Sequence, residues 1–205
     1  MKLAIFGGTG RVGKQVCEQA IEDGHQVNLL VRAEADWMQH PNIQVTVGDA
    51  KKAEDIEKVL DGADAVFSGL GTDKTTTLTE FSEAIIPLLT KHGISRIVTI
   101  GTAGILNSRH EEGKYRFQTN ESNRKLTFAA EQHAHVYERF ARTDHQWTIV
   151  CPTYLPDGLM TGTYRTEVDY HPEDGNQIST GDTAYFAYKQ LHQKDITPSR
   201  IGIAY

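Results

Sequence analysis

The chain has 205 residues and a formal net charge of −6, without a run of lysines or arginines. A nucleic acid or an anionic membrane requires a basic face, so this balance argues against both as partners. No apolar stretch reaches the roughly 18 residues of a membrane span, and the first, LAIF, is too short for a signal-peptide core. Cys17 and Cys151 have no CxxC partner, so we expect reduced thiols in a cytoplasmic protein.

Short apolar strands alternate with helices along the chain. The first helix is predicted from about Arg11, with Val12, Val16 and Ala20 on one face, and it ends at Gly24. The predicted strands are KLAIF (2–6), HQVNLLV (25–31), IQVTV (43–47), ADAVFSG (63–69), SRIVTIG (95–101), WTIVC (147–151) and RIGIAY (200–205). The other predicted helices span 54–60, 77–93, 123–143 and 179–193, and 104–122 is expected to be a long irregular loop.

Two of these helices carry capping-box spacing at their starts, Thr77 with Glu80 and Ser179 with Asp182. The alternation of strand and helix, with near-continuous apolar strands, predicts an α/β fold with a doubly wound, Rossmann-like parallel sheet. No linker or repeat interrupts the chain, so we expect a single domain over 1–205. Residues at about 152–178 are proline-rich and without clear period, and we expect them to form a small segment that covers the substrate.

The stretch GGTGRVG lies between the first strand and the first helix. Gly8, Gly10 and Gly13 satisfy G-x-G-x-x-G, and Gly7, Gly10 and Gly13 satisfy G-x-x-G-x-x-G. Either pattern alone is weak, but its place inside a strand–helix–strand unit is typical of dinucleotide binding. Such glycines allow a tight turn, a close approach of the backbone to a pyrophosphate, and close packing of the helix against the strand. The N–H groups at the helix start attract phosphate.

The end of the second strand favours NADP over NAD. An NAD enzyme usually has an acid there to bind the ribose 2′-hydroxyl, whereas this strand ends at Arg32, a cation that suits a 2′-phosphate. Arg11, inside the glycine loop, could assist with that phosphate, and Glu34 argues for NADH instead. We therefore predict NADPH as the preferred cofactor.

Two further loops follow strands at the edge of the sheet where ligands bind in such folds. VGDA places Asp49 and Ala50 near the expected adenine, and GLGT places Leu70, Gly71 and Thr72 near the expected ribose and phosphates. The glycine loop itself contributes the predicted contacts Gly7, Thr9, Gly10, Arg11 and Val12.

Six segments of the sequence, taken together, resemble those of a known family. The segments AIFGGTGRVG, VTVGDA, FSGLGT, IVTIGTAG, IVCPTYLPDGLMTGTY and ISTGD follow the order of the atypical short-chain dehydrogenase/reductase proteins with an NmrA-like NAD(P)-binding fold. The resemblance is nearest to the biliverdin-IXβ reductase and flavin reductase type, and it covers the chain from Met1 to about Ala187. It implies NADPH binding and hydride transfer to flavins or tetrapyrroles.

The resemblance also implies particular site residues. Thr102 occupies the place of a hydroxyl residue near the nicotinamide, with Gly101 and Pro152 at neighbouring strand ends as cofactor contacts. His133 matches a histidine on the cofactor side. Tyr154 stands where the family has a histidine, a departure that could change the proton donor and move the substrate away from tetrapyrroles. We assign Thr102 and Tyr154 as the candidate catalytic residues.

The larger superfamily uses a Tyr-x-x-x-Lys pair as acid, and this chain has Tyr185 and Lys189 at that spacing on the last helix. We interpret them as a solvated face, because on the expected helix Tyr137 is followed four residues later by Ala141. Flavin reduction tolerates this loss, because the acceptor can take its proton from solvent.

Two alternatives to a reductase stay open, and the missing pair favours the first and argues against the second. One is a non-catalytic NAD(P)H sensor of NmrA type, which would bind a protein partner. The other, a nucleotide-sugar epimerase or dehydratase, suits the sequence less. No HExxH and no cysteine at ligand spacing occur, so we expect no metal. The expected partner is a small-molecule substrate, and the chain is expected to be a monomer or dimer.

Overall fold

The computed structural model describes residues 1–72, 74–122, 126–194 and 196–205. Within these ranges, eight strands form one sheet and five α-helices flank it. The strands are β1 (Lys2–Phe6), β2 (Gln26–Val31), β3 (Ile43–Val47), β4 (Ala65–Ser68), β5 (Arg96–Ile100), β6 (Gln146–Pro152), β7 (Arg165–Val168) and β8 (Ser199–Ala204). The helices are α1 (Arg11–Glu22), α2 (Ala53–Leu60), α3 (Thr77–Lys91), α4 (Phe128–Phe140) and α5 (Thr180–Leu191).

The strand order is β3-β2-β1-β4-β5-β6-β8-β7, and each neighbouring pair is parallel except β7 with β8. The winding reverses between β1 and β4, as in a Rossmann fold, and ligands of such sheets bind at the carboxyl ends of the strands beside that point. The predicted α/β, doubly wound, Rossmann-like fold is therefore confirmed.

The sheet separates two apolar clusters, which explains why most side chains of its inner strands are apolar. In β1, Ala4 and Phe6 face the cluster that holds residues of α2, α3 and α4, whereas Leu3 and Ile5 face the residues of α1 and α5. All four side chains are fully buried. Burial on both faces thus fixes the carboxyl end of β1, from which the glycine loop starts.

Three local predictions were wrong. The sheet is not all parallel, because β7 adds an antiparallel edge within the predicted covering segment; its residues RTEV are mostly exposed and show no apolar pattern. The helix predicted over 123–143 is shorter, since α4 begins at Phe128, and residues 123–125 lie outside the described ranges. The cap of α3 is Thr76 rather than Thr77, with the Thr76 hydroxyl bonded to Glu80.

The long loop after β5 is more ordered than its composition indicated. It contains two short 3-10 turns, Ala103–Ile105 and Arg116–Gln118. The cap predicted at the start of α5 is present, because the Ser179 hydroxyl accepts a hydrogen bond from the Asp182 N–H at 3.0 Å.

Candidate active site

The glycine loop packs directly against the loop after β4. Gly7 has a φ of +74°, and a Cβ on it would lie 2.6 Å from the Gly69 carbonyl carbon. A Cβ on Gly13 would lie 2.2 Å from the Gly7 oxygen. Both distances are far below van der Waals contact, so only glycine allows α1 to start this close to the ends of β1 and β4.

The amino end of α1 offers unsatisfied donors. Its N-cap residue, Gly10, has no side chain to accept from the first turn, and no acidic residue lies in that turn. The first N–H groups of a helix have no partner within the helix. Together with the partial positive charge of the helix end, they form a site suited to a phosphate group. The residues present therefore fit the pyrophosphate of a dinucleotide.

A cavity of about 680 Å³ opens on the β2 side of the glycine loop, and we call it the β2-side cavity. Eight of the predicted cofactor contacts line it: Gly7, Thr9, Gly10, Arg32, Asp49, Ala50, Leu70 and Gly71. Thr72 and Val12 do not. Val12 is buried in the apolar cluster formed by α1, α5 and one face of the sheet. The Thr72 carbonyl accepts a hydrogen bond from the Thr75 N–H at 2.7 Å. The loops after β1, β2, β3 and β4 thus meet at one place.

The sequence-based assignment missed two lysines in the β2-side cavity. Lys51 and Lys52 follow Ala50 directly and line the same cavity as Arg32. Their position in the loop after β3 was a usable signal, because that loop was already assigned to the cofactor. Glu34, the residue that argued for NADH, is exposed and is not among the described residues that line this cavity.

A second cavity of about 680 Å³ lies beyond the ends of β5 and β6, and we call it the β5-side cavity. The remaining predicted site residues line it: Arg11, Gly101, Thr102, His133, Pro152 and Tyr154. The two candidate catalytic hydroxyls therefore share one cavity. The glycine loop lies between it and the β2-side cavity, because Gly10 lines one and Arg11 the other.

Thr102 and His133 differ in how firmly they are held. Thr102 caps the 3-10 turn after β5, and its hydroxyl oxygen accepts the Gly104 N–H at 3.4 Å. The half-buried His133 ring makes no hydrogen bond within the described part of the chain. Burial lowers the pKa of His133 to about 4, so the imidazole is neutral near pH 7.

Tyr154 lies at the open side of the β5-side cavity, with 62% of the residue exposed. Its backbone is fixed, since the Tyr154 carbonyl accepts the Ile178 N–H at 2.9 Å. The ring can therefore line the entrance without being part of the core.

The irregular loop after β5 supplies a wall that the sequence did not reveal. Phe117 lines the β5-side cavity and stacks on Tyr115, with ring centroids 5.8 Å apart and an interplanar angle of 18°. Arg116 and His171 line the same cavity. Burial lowers the pKa of His171, with the charge of Arg116 as a further cause. Tyr115, Arg116 and Phe117 are distant from every motif, so only the folded chain brings them to the site, whereas His171 lies in the segment expected to cover the substrate.

The structure does not bring Arg11 and Arg32 together. Arg11 Nη1 donates to the Leu155 carbonyl at 2.9 Å and lies 3.0 Å from the Asp157 carboxylate. Arg11 lines the β5-side cavity, and Arg32 lines the β2-side cavity. Arg11 instead connects the glycine loop to the segment after β6.

The segment at 152–178 lines the β5-side cavity only near its two ends. Residues 152–155, 171 and 174–176 line the cavity, whereas Leu159 and Met160 lie in a groove beside α1 and α5. Asp182, fully buried, holds the middle of the segment: it accepts the Thr161 and Gly162 N–H groups, both at 2.8 Å. The LMTGTY stretch is therefore anchored on α5 rather than placed over the site.

The Tyr-x-x-x-Lys pair on α5 lies outside both cavities. Lys189 Nζ is 3.4 Å from the Tyr185 hydroxyl, and both residues line the groove between α1 and α5. On α4, the Tyr137 ring packs against the Arg200 guanidinium, whose Cζ lies 4.1 Å from the centroid of the Tyr137 ring.

The described residues contain neither a metal cluster nor a membrane-spanning helix. Across these ranges, no three His, Cys, Asp or Glu side chains come together to hold a metal ion. None of the helices seen in them has the length and apolarity needed to span a bilayer.

A family model for NAD(P)H-binding proteins matches residues 7–194. The chain belongs to the NAD(P)H-binding family. This match extends over both cavities and confirms the predicted NAD(P)-binding family. A nicotinamide cofactor is therefore the ligand class for which the glycine loop is built.

Similar proteins cover the whole chain. The Bacillus subtilis protein YwnB is 26% identical over 213 residues, which covers 99% of this chain and 98% of YwnB. A Streptococcus pneumoniae structure, described as a candidate NADH-flavin reductase, is 24% identical with a TM-score of 0.77 and covers 100% of this chain and 99% of its own. The anaerobillin reductase ChuY of Escherichia coli O157:H7 is 18% identical with a TM-score of 0.80, covering 98% and 97%. The two structures show that the fold is shared.

Proposed function

We propose that this protein is an NADPH-dependent reductase that transfers hydride to flavin-like, tetrapyrrole or other planar conjugated acceptors. The observation that carries the proposal is the uncapped start of α1 between two cavities of about 680 Å³ each. One is bordered by cations, and the other by two candidate hydroxyls and an aromatic wall. The names of the similar flavin and anaerobillin reductases support the same class of reaction.

The β2-side cavity suits the adenosine half of the cofactor. Asp49 and Ala50 would border the adenine, and Arg32 would neutralise the 2′-phosphate. The exposed Glu34 would not compete, since it does not line the cavity among the residues described. The preference for NADPH over NADH follows from this placement of charge.

The β5-side cavity suits the nicotinamide and the acceptor. When bound, NADPH supplies the hydride, and that chemistry belongs to the cofactor. The chain supplies orientation: Thr102 and Tyr154 present hydroxyls to the reacting rings, and Phe117 offers a flat surface for a planar acceptor. His133, neutral at pH 7, can donate a hydrogen bond but is a poor acid. We therefore propose that the acceptor takes its proton from solvent.

A direct test mixes the protein with NADPH and a panel of flavins, biliverdins and quinones, and follows the absorbance of the nicotinamide band. We expect oxidation above background with at least one planar acceptor. Thr102→Ala and Tyr154→Phe should each lower kcat, by about 10- to 100-fold for a hydroxyl that orients a reacting ring. Unchanged rates in both variants would remove these assignments.

A second function, that of a non-catalytic NAD(P)H sensor, is favoured by one observation. Tyr137 stacks on Arg200 instead of facing the β5-side cavity, so the usual acid of the superfamily is absent from the place where it would act. Tight NADPH binding without oxidation by any acceptor would favour this alternative, and with it a protein partner.

A further inference from the structure

The loop after β3 brings further positive charge to the β2-side cavity, because β3 is the neighbour of β2, the strand that ends beside Arg32. Lys52 is the N-cap residue of α2, and its backbone carbonyl accepts the Ile56 N–H at 3.1 Å. The residue is exposed and lines the cavity. Its backbone is therefore fixed by α2, while its ammonium group can point toward a ligand.

The charges around this cavity are not those of the chain as a whole. The chain carries a net charge of −6, yet Arg32, Lys51 and Lys52 border one cavity. Two acids, Asp49 and Asp55, line the same cavity, so the three cations exceed them by one, and both acids already accept hydrogen bonds. Asp55 lies 2.9 Å from Lys58 Nζ and accepts the Asp49 N–H at 3.0 Å, and hydrogen bonds from Lys58 and Asp49 lower its pKa. Asp49 accepts the Lys51 N–H at 2.9 Å. The excess positive charge therefore favours an anion in the cavity.

The two lysines are not equivalent. Lys51 Nζ lies 3.3 Å from a Glu80 carboxylate oxygen, and 31% of its side chain is exposed. The Lys52 ammonium has no ion pair within the described part of the chain. Lys52, whose charge is one cause of the lowered Asp55 pKa, can thus bind a ligand anion without breaking an ion pair, whereas Lys51 would have to leave Glu80.

We propose that Lys52 is a second specificity-determining residue for the 2′-phosphate of NADPH, acting from the β3–α2 loop while Arg32 acts from the end of β2. The inference rests on the proposed NADPH-dependent function. A 2′-phosphate carries close to two negative charges at pH 7, as other phosphomonoesters do, because its second pKa is about 6. Two cations from separate loops match that charge better than Arg32 alone.

The test compares the binding of NADP⁺, NAD⁺ and 2′,5′-ADP by calorimetry in the wild type, Lys52→Ala, Lys51→Ala and Lys91→Ala. Lys91 is the matched control, since it is exposed at the end of α3, and neither it nor its partner Glu57 is among the described residues that line the cavity. Lys52→Ala should weaken the binding of NADP⁺ and 2′,5′-ADP about tenfold, the effect of one partly screened charge-assisted bond. The affinity of Lys52→Ala for NAD⁺ should stay within about twofold of the wild type. Lys51→Ala should lose less NADP⁺ affinity than Lys52→Ala, and Lys91→Ala should lose none.

The outcomes separate this inference from the proposed function. Unchanged NADP⁺ binding in Lys52→Ala, or an equal loss for NAD⁺, overturns the role of Lys52 while the reductase assignment remains. If the wild type binds neither dinucleotide, the proposed function fails first. A salt titration adds a second readout: the gap between NADP⁺ and NAD⁺ affinity should narrow with ionic strength, and less so in Lys52→Ala.

Discussion

His133 lies at the wall of the β5-side cavity, where burial lowers the pKa of its imidazole to about 4. An unfolded histidine titrates near 6.5, so between these values the folded state binds fewer protons than the unfolded one. The free energy of unfolding must then fall as the pH drops from about 6.5 to 4, by up to about 1.4 kcal/mol per pH unit from this residue.

His133→Gln removes that term and should make stability less sensitive to acid. Urea unfolding at pH 7, 6 and 5 measures this, with the exposed neighbour His135→Gln as control. The wild type and His135→Gln should lose stability in parallel, while His133→Gln should lose less. Three parallel curves would contradict a lowered pKa of the half-buried His133 imidazole.

At the scale of single residues, motif spacing predicted residues that line the β2-side cavity but not the aromatic wall of the β5-side cavity. Arg32, Asp49 and Gly71 follow strands at fixed places, so their convergence could be predicted from the strand pattern. Phe117 could not be predicted, because it reaches the β5-side cavity through irregular chain whose path depends on tertiary contacts. His171 lies within the segment expected to cover the substrate, but no pattern distinguished it from its neighbours. Arg11 could be placed in the glycine loop from the sequence, but its hydrogen-bond partners could not be predicted. They are Leu155 and Asp157, which lie 144 residues or more further along the chain.

At the scale of elements, Asp182 joins α5 to the segment after β6. Burial would raise the pKa of its carboxyl, but hydrogen bonds from Tyr205, Gly162 and Thr161 lower it below its usual value. Asp182→Asn replaces one acceptor oxygen by a donor that faces these N–H and O–H groups. We expect a loss of about 2–3 kcal/mol in the free energy of unfolding, as for a broken buried charge-assisted network.

Chemical denaturation measures this loss, with the exposed Asp174→Asn as control. The stabilisation from Asp182 is present above the ordinary carboxyl pKa, and it should be lost as the pH falls through the lower pKa of the folded state. Equal stability of Asp182→Asn and the wild type at pH 7 would contradict this role of the carboxylate.

The same segment explains which elements could be predicted. The inner strands are buried on both faces, so their apolar runs identify them, as in β1 and β4. The edge strand β7 has one neighbour and mostly exposed side chains, so no apolar pattern marks it. The Ser179–Asp182 cap was predictable because its two residues are close in the sequence. The hydrogen bond from the Thr161 N–H to Asp182 was not predictable, because it joins residues 21 positions apart.

At the scale of the whole molecule, the two cavities and the glycine loop predict that NADPH stabilises the fold. A ligand at 100 times its Kd adds about 2.7 kcal/mol to the free energy of unfolding. For a chain of this length, that raises Tm by roughly 5–10 °C. Gly10→Ala should reduce the shift, because its added Cβ stands at the N-cap where the phosphates would approach.

Thermal unfolding with NADPH measures the shift, and adenosine, which lacks the phosphates, serves as the control ligand. Adenosine should raise the Tm much less than NADPH at equal concentration. An identical shift in Gly10→Ala and the wild type would mean that the start of α1 does not hold the pyrophosphate.

Hydride transfer itself is tested most directly by mixing the protein, without oxygen, with a flavin and NADPH that carries deuterium on one face of the nicotinamide C4. The account predicts that one flavin is reduced for each NADPH oxidised. Deuterium on one face of C4 should slow the reaction and be lost from the nicotinamide, whereas deuterium on the other face should leave the rate unchanged and be kept in the NADP⁺ product. NADPH that binds tightly and stays reduced with every acceptor would contradict it.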